Sequence, residues 1–297
     1  MLCDQHEAAT ADSTLLSRFI ELWDRSAFQF GPAHLASYIS ALGFGDSGSS
    51  AYQEWWLQSD ERIHVIGKGI LRFHAVYWLA FLASAGQPAP TRIQVHPYLT
   101  VEGAKLSKSS KNAVDPVQIV SAYGTEALRW WFARDVGPVA DTDFTTARLI
   151  ARANEDLANG LGNLVSRIVT LVHRYRRGEV PAVETEIAAE LGDLGNKVDS
   201  AVGDFDLRGA ARLVCEAVAQ LNRDLEDTQP WAIANRAGTP AQRRLDSLLA
   251  RHVKSAREIA RVVEPFVPAL STRLLEQLGM STRLPTPVPA FTRIEGP

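Results

Sequence analysis

The sequence is poor in cysteine, in charge of one sign and in long apolar runs. Its two cysteines, Cys3 and Cys215, stand far apart in the chain. Neither a disulfide framework nor a cysteine-based zinc knuckle is available, and no structural zinc is expected. With 31 Lys and Arg against 34 Asp and Glu, the net charge is -3. That excludes a global electrostatic drive toward nucleic acid, so RNA contact would have to rest on local basic patches. The longest apolar stretch, around residues 75–85, is too short to cross a bilayer. Residues 1–14 are polar and acidic without an apolar core, so no secretory signal is expected and a soluble cytoplasmic protein is the default. What is present is ordinary globular material: 297 residues, 46% hydrophobic and 22% charged, enough for two domains.

Organisation changes near residue 147. Before it, the Gly- and Ser-rich residues 43–50 mark a surface loop. A strand is expected over 62–67, an apolar helix over 70–85 and a second strand over 92–96, the βαβ unit of a parallel sheet. Residues 15–23 carry a short helical signal. After residue 147 the chain reads as helices over 149–175, 183–201, 207–226, 243–263 and 267–278, joined by short loops as in an antiparallel bundle. The tail from residue 284 is Pro-rich and reads as extended. The expected fold class is therefore α/β plus all-α: a partial Rossmann-like parallel sheet followed by a helical bundle. The expected domains are a divergent segment 1–29, a partial nucleotide-binding half 30–146 and a helical domain 147–297.

The chemistry concentrates in residues 101–112, where Lys105, Lys108 and Lys111 alternate with Ser107, Ser109 and Ser110 just after a strand. Such a loop can offer ammonium groups and hydroxyls to phosphates, and lysine suits a triphosphate because it is a flexible point charge. By itself the segment also reads as a solvated Lys/Ser loop. Its surroundings change that reading. The approach from His96 through Gly103 to Lys105-Leu106-Ser107-Lys108-Ser109 resembles the KMSKS loop of class I aminoacyl-tRNA synthetases. Ile66-Gly67-Lys68-Gly69, followed by Phe73-His74 and Trp78, resembles the Ile-Gly-Lys-Asp…Phe-His…Trp segment of the methionyl-tRNA synthetase family. Tyr123-Gly124, Ala127-Leu128-Arg129-Trp130-Trp131, Asp141-Thr142-Asp143-Phe144, residues 154–167, Gln229-Pro230-Trp231 and Phe291 to Glu295 match in the same order.

The resemblance implies an ATP-binding loop of Lys105, Ser107, Lys108 and Ser109. Lys105 and Lys108 would be its catalytic cations, stabilising charge on a leaving pyrophosphate, with Mg2+ accompanying the ATP. It implies an amino-acid pocket with Tyr38, Phe73 and His74 in its wall. Read without the resemblance, Phe73 and His74 are equally core residues of a buried helix. It implies tRNA as a partner, with the anticodon read by Asn163, Arg167 and Trp231. Unstacked bases stack on an indole while Asn and Arg bond their edges. Asn163 and Arg167 are spaced i, i+4 on one helix face. Trp231, after Pro230, also fits a helix-start anchor.

Departures from the family cluster on the catalytic side. The His-rich HIGH turn, which would contact ATP phosphates from the other half of the nucleotide fold, has no counterpart, and neither does the inserted connective domain with its metal knuckle. The pocket pattern Tyr-Val-Trp-x-Asp-Ala falls on residues 29–34, with Gly31 in place of Trp and Ala33 in place of Asp. Gly69 replaces the Asp of Ile-Gly-Lys-Asp, and Pro97 replaces a Gly before the loop, where it restricts the hinge. Three functions stay open: amino-acid activation and tRNA aminoacylation of the methionyl type, incomplete or altered in this chain; recruitment to specialised metabolism, coupling a non-methionine amino acid with a separate cupin partner; or a non-catalytic tRNA-binding module. The cut sheet is expected to be covered by residues 1–27, by a second copy or by a separate chain.

Overall fold

The structure, a computed structural model, describes residues 33–46, 48–101, 103–105, 114–279 and 282–296. It divides into two compact units, Met1–Tyr98 and Leu99–Pro297. The helical signal at 15–23, together with Gly31, lies outside the described residues.

In the first unit, α1 (Ala33–Ser40) precedes α2 (residues 50–57), and both pack apolar side chains inward. Strand β1 (Ile63–Gly67) leads into a long helix, α3 (residues 68–84), which starts as a 3-10 turn and widens to π spacing over Phe73–Trp78. Strand β2 (Arg92–His96) returns parallel to β1, with Ile63 opposite Arg92 and Gly67 opposite His96. This is the expected βαβ unit. Alternation along β1 buries His64 and Ile66 on the helix side and leaves Ile63 and Val65 outward. The core is aromatic: Tyr52, Trp56, Trp78 and Phe81 with Leu35 and Ile39.

In the second unit, β3 (Leu99–Val101) turns at Gly103 into β4 (Ala104–Lys105). Gly103 has φ 75, a left-handed conformation that glycine adopts without Cβ strain. β3 also pairs in parallel with β5 (Thr142–Asp143), giving a mixed sheet in the order β4-β3-β5. Helix α4 (Pro116–Tyr123) starts on Asp115, whose carboxylate accepts the Val117 N–H at 2.9 Å, with Pro116 in the first turn. Gly124 breaks it from α5 (Thr125–Asp135).

The helical run opens at Thr145, whose hydroxyl caps α6 (residues 146–176) at Arg148 N. α6 takes π spacing over Ala153–Gly162 and returns to α geometry from Asn163. It stops at Arg177, in the left-handed region with φ 56, and Gly178 N–H reaches back to Val172 O at 3.3 Å. Backbone amides turned back past a left-handed residue in this way satisfy the last carbonyls and end the helix. α7 (Leu194–Gly203), α8 (Leu207–Thr228), the short α9 (Pro230–Ala234), α10 (Thr239–Val262) and α11 (Pro268–Leu278) complete the bundle. Leu157, Ile168, Leu221, Val253 and Leu270 lie in its core, all fully buried.

One expected helix is corrected. The chain does not become helical at residue 183; residues 181–188 take no regular secondary structure, a 3-10 turn follows at Ala189–Leu191, and α7 begins only at Leu194. Pro181 has no N–H to give, and Val183, Thr185 and Ile187 are β-branched. Side chains of α10 hold this backbone instead: Ser255 Oγ accepts Ala188 N–H at 3.0 Å and Lys254 donates to Thr185 O at 2.8 Å. The link between α6 and α7 is therefore long, not the short loop expected. The described tail residues form no helix or strand beyond an isolated bridge between Glu179 and Arg283, and Asn154 of α6 exchanges two 2.8 Å hydrogen bonds with the backbone of Ile294.

Candidate functional site

The residues of the implied amino-acid wall meet in the first unit. α3 carries Ile70, His74 and Trp78 at i, i+4 spacing, so they share one face. His74 Nδ1 lies 2.9 Å from Ile70 O, and His74 Nε2 lies 3.0 Å from the Tyr38 hydroxyl. A carbonyl can only accept, so Nδ1 donates to Ile70 O, and Nε2 shares the second bond with the Tyr38 hydroxyl. His74 is buried, while Tyr38 stays 37% exposed. Phe73 is half-buried beside Tyr77, at 5.7 Å between ring centroids.

Behind this pair stand two residues that sequence reasoning did not single out. His64 of β1 sits 4.3 Å from the Tyr38 ring, and Trp78 donates from Nε1 to His64 Nε2 at 3.0 Å. Burial, and then the neighbouring His74, push the His64 pKa down to about 4. His64 is thus a neutral acceptor for the indole. Strand alternation marks His64 as an inward position with Ile66, and the i, i+4 step from His74 marks Trp78; both signals were in the sequence.

Gly69 is explained by its neighbour. A Cβ added at Gly69 would sit 1.8 Å from the Tyr98 hydroxyl and 3.1 Å from Tyr98 Cζ. The space next to the backbone, where the family pattern has an aspartate, is filled here by a tyrosine from the end of the unit. Lys68 Nζ lies 5.1 Å from the centroid of the same ring.

In the second unit, the hairpin β3–β4 presents the Lys/Ser loop. Asp143 of β5 holds its base: Oδ1 accepts the Thr100 hydroxyl at 2.8 Å and the Gly103 N–H at 3.0 Å. The backbone of Lys105 pairs with Thr100. Ser107, Lys108 and Ser109 lie outside the described residues, as does the side chain of Lys105. Among the described residues no group of His, Cys, Asp or Glu is arranged to hold a metal ion, and no helix is long and apolar enough to cross a membrane.

The helical unit sets Asn163 and Arg167 one turn apart on α6, Asn163 exposed and Arg167 half-buried. Arg167 is held by α8: Nη1 donates to Asn222 Oδ1 at 3.0 Å, and Nη2 pairs with Glu226. Asn222 and Glu226 are themselves one turn apart. α8 ends just beyond, and Gln229, at φ 42, turns the chain into α9. Trp231 is the second residue of α9, half-buried, and α9 packs against both α6 and α10. Asn222 also lines a cavity of about 220 Å³ with Trp130, Asp156, Leu161 and Cys215. Burial raises the Cys215 thiol to about 11, so the thiol stays protonated at neutral pH.

The tRNA synthetases class I (M) family model matches residues 33–169. The methionine–tRNA ligase of Caldanaerobacter subterraneus is 34% identical over 258 residues, covering 85% of this chain and 40% of that protein. That of Oceanobacillus iheyensis is 32% identical over 253 residues, covering 83% of this chain and 37% of that protein. The chain thus spans about two fifths of the length of these relatives. Mycobacterium tuberculosis methionyl-tRNA synthetase, solved in complex with methionyl-adenylate, superposes with a TM-score of 0.75 at 31% identity, covering 87% of this chain and 55% of that one. A family match over the sheet and the start of the bundle, with identity running on through the helices, shows that this chain belongs to the methionyl-tRNA synthetase family of class I tRNA synthetases.

Proposed function

We propose that the chain carries one side of an ATP-dependent amino-acid activation site together with the tRNA-docking bundle that serves it. The reaction class is amino acid plus ATP giving aminoacyl-adenylate and pyrophosphate, followed by transfer to tRNA. The Tyr38–His74 pair is the observation that supports this most directly. A half-exposed phenol, fixed by a buried imidazole and walled by His64 and Trp78, is a preorganised surface for one amino-acid side chain. Lys105 and Lys108, on the loop that leaves the Asp143-anchored hairpin, would place ammonium groups on the phosphates of ATP and its Mg2+. Asn163, Arg167 and Trp231 would read unstacked anticodon bases.

These 297 residues hold no HIGH-type turn, so the opposite side of the phosphate site must come from other residues. The test is amino-acid-dependent ATP–pyrophosphate exchange and tRNA filter binding with this chain. The expected result is tRNA binding that depends on the anticodon, with no exchange until HIGH-bearing residues are supplied. Exchange with methionine by these 297 residues alone would overturn the division of the site. Anticodon-indifferent binding would overturn the bundle's role.

Gly69 beneath Tyr98 favours a second reading, activation of an amino acid other than methionine. Removing a carboxylate and filling its place with a phenol changes what the site can pair with. A screen of amino acids by ligand-induced thermal shift separates the two, since a preference for methionine over all others would rule the second reading out.

A further inference from the structure

We propose that the end of the bundle where α6, α9 and α10 meet is an arginine surface for RNA phosphates, separate from the base-reading residues. It rests on the tRNA-docking reading above and adds residues that reading does not use. Arg176, in the last turn of α6, is spent on structure: its guanidinium pairs with Asp246 and donates to Gln242 Oε1 at 3.0 Å, clamping α6 to the first turns of α10. Gln242 in turn reaches Arg236 O, at 3.4 Å, in the link after α9. Around that clamp Arg174, Arg177, Arg236, Arg243 and Arg244 are all exposed. Arg174 lies over the Tyr175 ring, and the other four have no side-chain partner among the described residues. The acids in the same segments are Asp246, already paired, and Glu179.

A chain of net charge -3 thus places five exposed arginines at one end of one domain, against the exposed acids Glu179 and Asp227. An excess of positive charge on one surface is relieved by a polyanion. RNA fits better than an anionic membrane for two reasons. The surface shares α6 and α9 with Asn163, Arg167 and Trp231. In addition, none of the large exposed apolar side chains falls within residues 174–179 or 229–246, so nothing is offered to a lipid interface.

The experiment compares the whole chain, the triple variant Arg236→Gln, Arg243→Gln, Arg244→Gln, and Trp231→Ala. Each is titrated by filter binding with a CAU-anticodon tRNA and with the same tRNA carrying another anticodon, between 50 and 300 mM salt. Circular dichroism melts check that each variant folds. The triple variant is expected to weaken both tRNAs equally, about tenfold or more at low salt, and to reduce the slope of log affinity against log salt by about 2 to 3. Trp231→Ala is expected to erase discrimination between the tRNAs and leave the slope unchanged. An unchanged slope in the triple variant overturns the arginine surface; if discrimination persists there, the base-reading proposal survives it. A reduced slope without any discrimination upholds the surface and overturns the base readers. Failure to bind either tRNA overturns both. Phosphatidylserine vesicles are titrated alongside, and vesicle binding that the triple variant abolishes, without an effect on tRNA, would assign the surface to a membrane and overturn the RNA assignment.

Discussion

The Tyr38 hydroxyl and His74 Nε2, 3.0 Å apart, join α1 of the sheet unit to α3, the helix that crosses between its strands. Because His74 Nδ1 is engaged by Ile70 O, Nε2 is the ring atom left for the phenol. Tyr38→Phe keeps the aromatic volume and leaves a buried imidazole nitrogen without its partner. The loss of stability is expected at about 1 to 3 kcal/mol, the range for one buried polar group left unsatisfied. Urea denaturation followed by tryptophan fluorescence measures it, since Trp56 and Trp78 report on this core. A variant as stable as the parent would mean that the bond contributes nothing net.

The His64 ring sets a pH dependence. Its folded pKa is pushed down to about 4 by burial and by His74, while in the unfolded chain it returns to about 6.5. Below 6.5 the unfolded state binds a proton that the folded state refuses, so stability falls as the pH drops from about 6.5 toward 4. It is fully present above 6.5. The slope from this one group is at most about 1.4 kcal/mol per pH unit. His64→Gln retains an acceptor for Trp78 Nε1 and removes the titration. Thermal melts of the two proteins between pH 4 and 8 are expected to show a flatter profile for the variant. Parallel profiles would remove His64 as the source.

Much of this architecture is legible from residue spacing. The βαβ unit follows from two short β-branched runs around an apolar helix, and the face bearing Ile70, His74 and Trp78 follows from helical periodicity. What spacing does not carry is the identity of a neighbour far along the chain. Gly69 reads as a lost carboxylate until Tyr98 is seen occupying its place. Arg167 reads as a free base reader until Asn222 and Glu226 are seen holding it. Residues 183–188 misled for a related reason. Their apolar positions fit a helix, but Ser255 and Lys254 of α10 offer this backbone hydrogen bonds that a helix would have supplied. Tertiary partners overrode local pattern there.

The Gly69–Tyr98 contact can be tested by repair. Gly69→Ala places a methyl within 1.8 Å of the Tyr98 oxygen, so the tyrosine must move or the helix start must shift. Overpacking of that kind costs about 1 to 3 kcal/mol. Tyr98→Phe removes the oxygen and leaves the ring carbon at 3.1 Å, a contact that a few tenths of an ångström relieves. The double variant is therefore expected to recover most of the loss, with a coupling energy of about 1 kcal/mol or more in a double-mutant cycle. Additive effects would show that the two residues do not meet.

Asp143 links the small mixed sheet to the Lys/Ser loop. Its carboxylate accepts from the Thr100 side chain and the Gly103 backbone, so a single oxygen ties the β3 arm and the turn of the hairpin to β5. The loop's first lysine, Lys105, pairs with Thr100 in the strand that Asp143 holds. Asp143→Ala removes both bonds at once, and each hydrogen bond to a charged group is worth about 1.5 to 3 kcal/mol. The sheet around it has only short strands, so that loss falls on the hairpin before it reaches the helical bundle. The expected outcome is local opening: faster trypsin cleavage after Lys105, Lys108 or Lys111, with the bundle's melting by far-UV circular dichroism little changed. Asp143→Asn keeps an acceptor oxygen and should be cleaved at an intermediate rate. If Asp143→Ala is cleaved no faster than the parent, the hairpin is held by its strands alone. Asp143 then has no part in positioning the lysines that the activation chemistry would use.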